Sequence, residues 1–113
     1  MMRRMRWVIG LALLVSCGPI VYVGEVTSRA STAVEHARDA QADTLAPYWW
    51  TRAVEYLHEA RELAAHADFQ GANKFGRLAA EAADKAVEEA SLAVKDPSKR
   101  PITVQPVPAK EPP

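Results

Sequence analysis

Three side chains that could bind a metal ion recur at helical spacing in the middle of the chain. His58, Glu62 and His66 follow one another at intervals of four residues, which would place them on one face of a helix. Imidazole and carboxylate groups are common zinc ligands, so this face is a candidate for a metal or ligand site. A solvated, charged helix face has the same pattern. Because no nearby residue is placed to orient the imidazoles, we favour the charged face and expect no cofactor.

Patterns that support catalysis are otherwise missing from this sequence. It has no glycine-rich phosphate-binding loop and no predicted strand that could present a nucleophile at a sharp turn. Glu55 and His58 form one Glu-x-x-His motif, but helical di-iron sites need two such motifs and two further glutamates. Cys17, the only cysteine, lies at the end of a signal-like segment. We therefore expect that the protein is not an enzyme.

The N-terminus has the layout of a secretory signal peptide. Arg3, Arg4 and Arg6 form a basic segment, and residues 7–15 form a short apolar run. A positive flank followed by a short apolar core is typical of such signals. Loss of residues 1–16 would leave three more acidic than basic residues, because the whole chain carries 14 of each. A mildly acidic protein has no general electrostatic attraction to nucleic acid, so we expect no nucleic-acid partner.

The apolar run ends in Leu14-Val15-Ser16-Cys17, which resembles the lipobox of bacterial lipoproteins. The resemblance implies that a peptidase removes residues 1–16 and that the Cys17 sulfur carries a diacylglycerol. Two or three acyl chains anchor a protein stably on a membrane, whereas a single chain binds reversibly. In the sorting rule of such lipoproteins, a residue other than Asp after the cysteine favours the outer membrane.

Two other interpretations of the N-terminus remain open. Residues 7–23 could form an uncleaved membrane anchor, although their length is at the lower limit of about 17 residues for spanning a bilayer. The Gly18-Pro19 pair would also interrupt that helix. A plain signal peptide cleaved elsewhere would leave Cys17 as a lone thiol, which secreted proteins usually avoid. We therefore expect a lipid-anchored protein of the cell envelope that faces the periplasm from the outer membrane.

The remainder of the chain divides into an alanine-rich segment and a proline-rich tail. We expect a lipidated cysteine with a short linker, a helical domain and a disordered tail (residues 17–24, 25–95 and 96–113). The domain comprises three predicted helices at about residues 25–45, 47–67 and 70–95. Short connections make such helices antiparallel neighbours. The predicted fold class is therefore all-α, an up-down-up antiparallel three-helix bundle with an alanine-rich core.

Local signals set the predicted ends and faces of these helices. Pro47 fits the first position of the second helix, Asp68 can cap the third, and Pro97 disfavours helix at the preceding residue.

The second helix carries apolar residues over half of its circumference, which is wider than one neighbour requires. We therefore predict that it lies in the middle and packs against both others. The narrow stripe of the first helix comprises Val26, Ala30, Ala33, Ala37 and Ala40.

Three aromatic residues, Tyr48, Trp49 and Trp50, stand together at the start of the second helix. Three successive residues span about 200° of a helix, so they cannot all face one core. They could plug the end of the bundle, because large aromatic side chains are mostly buried. They could instead form a partner-binding patch, because exposed Trp and Tyr are common anchors at interfaces. We take the three residues as candidates for binding a partner.

A second resemblance covers about residues 26–94, in the segments AVEYLHEARELA from Ala53 and ADFQGA from Ala67. It is similar to a helical domain of unknown function found in small envelope lipoproteins and ahead of outer-membrane-protein-A-like modules. That family implies no activity. The expected role is therefore a scaffold or adaptor with a protein or peptidoglycan partner. The alternatives are a metal- or ligand-binding periplasmic protein that uses the His58 face, and an envelope-stabilising protein whose tail contacts peptidoglycan.

Overall fold

A computed structural model describes residues 18–102 of the chain. These residues are predominantly helical and contain no strand, in agreement with the predicted all-α class. The predicted signal peptide, Cys17 and residues 103–113 lie outside the described residues. The elements are α1 (Gly18–Asp39), α2 (Ala42–Leu45), α3 (Pro47–Ala65), α4 (Phe69–Lys95) and a 3₁₀ turn (Pro97–Lys99).

Helix α1 begins at Gly18, so the predicted linker is wrong for residues 18–24, which are helical. Pro19 lies in the first turn, where its missing N–H leaves no helical hydrogen bond unmade. Gly24 costs a helix interior about 1 kcal/mol relative to Ala, which is too little to end a long helix. The Gly-Pro pair therefore belongs to the first turn of this helix.

The first predicted helix is not continuous to residue 45. Helix α1 ends at Asp39, and Gln41 adopts a left-handed backbone with a φ of 58° before α2 begins. The Gln41 N–H donates to the carbonyl oxygen of Arg38 at 2.9 Å, a bond that closes helix ends of this type. The break allows Ala42 and Ala46 to become fully buried, with α2 packed against α4.

The turn between α3 and α4 satisfies the backbone groups of both helix ends. Helix α3 begins at Pro47, the residue predicted for that position. Beyond its end, Ala67 has a φ of 60°, and the Asp68 N–H donates to the carbonyl oxygen of Leu63 at 2.9 Å. These are the features of a Schellman motif. The Asp68 side chain then accepts a hydrogen bond from the Gly71 N–H at 3.0 Å, which is the predicted cap of α4.

Helix α4 is the central element of the fold. It packs extensively against both α1 and α3, whereas α1 and α3 contact each other much less. The prediction that the second long helix lies in the middle is therefore wrong. Val54 and Ala67, which counted toward its apolar half, are exposed. Helix α4 can take two neighbours because small residues line the sides that face them: Ala72, Gly76, Ala79, Ala82, Ala83, Ala86, Ala90 and Ala93.

The core of the described residues is built almost entirely of alanine. Val34 and Leu57, which are 4% and 6% exposed, are the only buried side chains larger than alanine there. Gly76 has no Cβ, and an added one would lie 2.7 Å from Cγ1 of Val26. The contact between α1 and α4 therefore depends on the small size of Gly76. Val34 was not part of the predicted stripe, and three members of that stripe are only half-buried: Val26, Ala33 and Ala40.

The predicted disordered tail begins with an ordered turn. Pro97–Lys99 form a single 3₁₀ turn after α4. Asp96 Oδ1 accepts hydrogen bonds from the hydroxyl and the N–H of Ser98, at 2.7 and 3.0 Å, and these bonds lower the pKa of Asp96. Arg100 Nε donates to the carbonyl oxygen of Ala93 at 3.1 Å. The predicted disorder is therefore wrong for the first residues of the tail, which fold against the end of α4.

Candidate functional site

The predicted metal-binding face is exposed and only partly assembled. His58 Nε2 lies 3.4 Å from Glu62 Oε1, and both side chains are more than half exposed. This contact is an ion pair only when the imidazole is protonated. His66 lies beyond the last residue of α3, at its C-terminal cap. Within residues 18–102, no group of three His, Cys, Asp or Glu side chains could hold a metal ion.

The three adjacent aromatic residues are divided between the core and the solvent. Trp49 and Trp50 are half-buried and pack against the alanine core. Tyr48 is 58% exposed, and its ring meets that of Trp49 edge to face, with 5.0 Å between centroids. The tryptophans therefore extend the core, whereas Tyr48 is available for contact with another molecule.

Trp49 and Trp50 are each covered by a cation from a neighbouring helix. Lys85 Nζ of α4 lies 4.5 Å from the ring centroid of Trp49. Arg38 Cζ of α1 lies 5.8 Å from the ring centroid of Trp50. A cation at these distances is attracted by the negative face of the ring, at about 0.5–1 kcal/mol for an exposed pair. The two tryptophans therefore connect α3 to α4 and to α1.

A ladder of three side chains continues from Tyr48 along α3. Arg52 Cζ lies 5.2 Å from the ring centroid of Tyr48 and 5.9 Å from that of Tyr56. Arg52 Nη1 also donates to the Tyr56 hydroxyl at 2.6 Å. The electrostatic influence of Tyr48, followed by that of Tyr56, raises the pKa of Arg52 above its ordinary value. The spacing of four residues between these side chains is visible in the sequence, but neither Arg52 nor Tyr56 was among the predicted partner-binding residues.

The ladder extends onto α4 and forms a continuous surface. The rings of Tyr56 and Phe75 lie 5.9 Å apart, and Lys74 Nζ lies 5.9 Å from the ring centroid of Phe75. Each of these side chains contacts the next, from the middle of α4 across α3 and back to the start of α4. We call this set the aromatic–cation surface: Lys85, Trp49, Tyr48, Arg52, Tyr56, Phe75 and Lys74.

The cations of this surface differ in how their charges are balanced. Lys85 pairs with Glu81 at 3.3 Å. Among the described residues, neither Arg52 nor Lys74 has a carboxylate within ion-pair distance. Arg52 donates to Tyr56 instead, and its other N–H groups can still donate to an acceptor on a bound molecule. The middle of the surface is therefore suited to a ligand with both an apolar part and an acceptor group.

Two shallow clefts lie beside α1. One of about 320 Å³ separates α1 from α4, and one of about 210 Å³ separates α1 from α3. Arg29 pairs with Glu25 at the first cleft, and Arg61 donates to the Ser31 hydroxyl at 2.9 Å across the second. Within residues 24–102 no Asp, Glu, His, Lys or Arg residue is buried. Neither cleft therefore offers the desolvated acid or base that typically marks a catalytic site.

None of the helices in residues 18–102 combines the length and the apolar character needed to cross a membrane. A scan against protein-family models and searches of curated proteins and of solved structures each found no match to this chain.

Proposed function

We propose that this chain is a lipid-anchored lipoprotein of the cell envelope that acts as a non-catalytic scaffold or adaptor. The observation that carries the proposal is the lipobox-like Leu14-Val15-Ser16-Cys17 directly after an apolar run with a basic flank. Because α1 includes Gly18, a lipid on Cys17 would be joined to the first helix almost without a linker. The absence of Asp after the cysteine favours the outer membrane, with the folded part in the periplasm.

The scaffold is an up-down-up antiparallel bundle of the three long helices α1, α3 and α4. Paired contacts support these directions, because residue numbers rise along one helix as they fall along its neighbour. Helix α3 therefore runs opposite to both α1 and α4. The contacts are Trp49 with Lys85 and Tyr56 with Phe75 between α3 and α4, and Arg38 with Trp50 and Ser31 with Arg61 between α1 and α3.

The adaptor role is assigned to the aromatic–cation surface. It combines the residue types that most often anchor interfaces, Tyr, Trp and Arg. Tyr48 presents an exposed ring and Arg52 an exposed guanidinium, and both project from one rigid helix. Because the backbone of a helix is already ordered, no backbone entropy is lost when a partner binds to this surface.

Mass spectrometry of the mature N-terminus tests the anchor. The protein purified from membranes of its native host should begin at Cys17 and carry the mass of a diacylglycerol, with or without a further acyl chain on the amino group. Cys17→Ala should abolish the added mass and accumulate the uncleaved precursor. Because Cys17 precedes α1, circular dichroism of this variant should retain the helical signal, which separates loss of the lipid from loss of the fold. An unmodified Cys17, or cleavage at another bond, would exclude the anchor.

A metal-binding role for the His58 face is the second candidate, because an imidazole and a carboxylate lie 3.4 Å apart there, without a third ligand beside them among the described residues. Isothermal titration with zinc separates the two functions. Micromolar or tighter binding that disappears in His58→Ala, but persists in the matched His36→Ala variant elsewhere on the exposed surface, would support a metal-binding role. Weak binding that is equal in both variants would exclude it.

A further inference from the structure

The chain stays close to the end of α4 after the helix ends. Asp96 caps the 3₁₀ turn, and Arg100 reaches back to the carbonyl oxygen of Ala93, seven residues earlier. Pro101 is half-buried, whereas Ile102 is 90% exposed. Arg100 therefore holds residues 100–102 close to the C-terminal end of α4, and residues 103–113 continue from there.

We infer that the aromatic–cation surface is a docking site for a polyproline II segment and that its occupant is this chain's own segment of residues 103–113. That segment contains Pro106, Pro108, Pro112 and Pro113. Proline-rich segments favour the polyproline II conformation and bind to surfaces lined by Tyr and Trp, because their conformation is largely set before binding. This inference goes beyond the proposed adaptor function and does not depend on the lipid anchor.

The spacing of the tyrosines matches the spacing of two prolines. Tyr48 and Tyr56 are eight residues apart in α3, a rise of about 12 Å at 1.5 Å per residue. Pro108 and Pro112 are four residues apart, also about 12 Å at the 3.1 Å rise of polyproline II. Along the helix axis, Pro108 can therefore lie at the level of Tyr48 while Pro112 lies at the level of Tyr56.

The tail is long enough to reach this position. Between Pro101 and Pro108 the chain can extend by up to about 22 Å in polyproline II conformation. Ala93, where Arg100 is held, is eight residues from Lys85 along α4, an axial distance of about 12 Å. Lys85 covers Trp49, the neighbour of Tyr48. The remaining length allows the tail to cross from α4 to α3.

Lys110 and Glu111 both lie between the two prolines, and the carboxylate of Glu111 can pair with the cation between the two tyrosines. Arg52 lies between Tyr48 and Tyr56 and has no carboxylate within ion-pair distance among the described residues. In the sequence, Glu111 lies between Pro108 and Pro112. The docked tail would bring its carboxylate to Arg52, whose free N–H groups can donate to it.

Backbone ¹⁵N relaxation of the full mature protein in detergent micelles tests the docking. The amides of residues 109–111 should show order parameters above about 0.6 in the wild type, and below that value in Pro108→Gly/Pro112→Gly. The matched variant Pro106→Gly should retain the order, because Pro106 does not belong to the 12 Å pair. Tyr48→Ala, a change at an exposed ring, should release the tail as the double proline variant does.

Three outcomes would overturn the inference. The first is that residues 109–111 have order parameters below about 0.6 in the wild type. The second is that the double proline variant leaves the Tyr48 and Tyr56 ring resonances unchanged. The third is that the order depends on protein concentration, which would assign the contact to a second copy of the chain. The substituted prolines, Pro108 and Pro112, are not part of helices α1 to α4. Unfolding of these helices therefore does not explain a loss of order in the tail of the double proline variant.

Discussion

The close contact between α1 and α4 at Gly76 makes a quantitative prediction. An alanine Cβ at this position would lie 2.7 Å from Val26 Cγ1, whereas ordinary contacts lie at 3.4–4 Å. Relief of this overlap requires the helices to separate or Val26 to move, at a cost of about 1–3 kcal/mol. The change also gains about 1 kcal/mol of helix propensity. We therefore expect Gly76→Ala to lower the free energy of unfolding by up to about 2 kcal/mol.

A double-mutant cycle separates the two contributions. Val26→Ala removes the methyl groups that an alanine at position 76 would meet, so Gly76→Ala in that background should stabilise by about 1 kcal/mol. The coupling energy between the two positions should be about 1–3 kcal/mol, measured by urea unfolding of the four proteins. Gly24→Ala is the matched control, because its added Cβ meets nothing within 4 Å, and it should stabilise by about 1 kcal/mol in the wild-type background. Additive effects of Gly76→Ala and Val26→Ala would refute the close contact.

Three further predictions concern the α3–α4 turn, the core and the start of the tail. Ala67→Gly should raise the free energy of unfolding, measured in urea, by about 0.5–1 kcal/mol, because the left-handed φ of 60° strains alanine. The control Ala65→Gly, in a regular helix, should lower the free energy of unfolding, and equal effects of the two changes would contradict this argument. Leu57→Ala should lower the free energy of unfolding by about 2–3 kcal/mol and lower the melting temperature measured by calorimetry, since Leu57 is 6% exposed. An unchanged melting temperature would contradict the place of Leu57 in the core. Ser98 lowers the pKa of Asp96, so the 3₁₀ turn should be stable at neutral pH and lost as the pH falls through the pKa of Asp96 in the folded protein. In an NMR titration, Ser98→Ala should shift that pKa upward; identical titrations of the wild type and the variant would refute the cap.

The helix ends that depend on local chemistry could be predicted from the sequence. Pro47 begins α3, and Asp68 caps α4 through the Gly71 N–H. Helix α4 ends before Pro97, because proline disfavours helix at the residue before it. Each of these signals acts within three residues, so no knowledge of the packing was needed. The break at Gln41 carries no such signal, since it is stabilised by burial of Ala42 and Ala46 against other helices.

The central position of α4 and the extent of the aromatic surface could not be predicted in the same way. An apolar count along α3 includes exposed residues such as Val54, and it gives no weight to small residues that allow helices to approach closely. Arg52 counts as polar in such an analysis, although its guanidinium lies over two tyrosine rings. The partners of Tyr56 and Trp49 on α4, Phe75 and Lys85, are distant in the sequence and meet only in the folded chain.

The alanine core has a consequence for how this protein tolerates change. Alanine has no rotamers, so the core is ordered without the side-chain entropy loss that accompanies burial of leucine or methionine. The cost of folding then falls mainly on the backbone, where alanine's helix propensity reduces it. The close approach of the helices leaves no space for a larger side chain at fully buried positions such as Ala79, Ala83 and Ala86. Sequence drift in this core is therefore expected to run in one direction, toward glycine, and enlargement should require compensating changes on the facing helix.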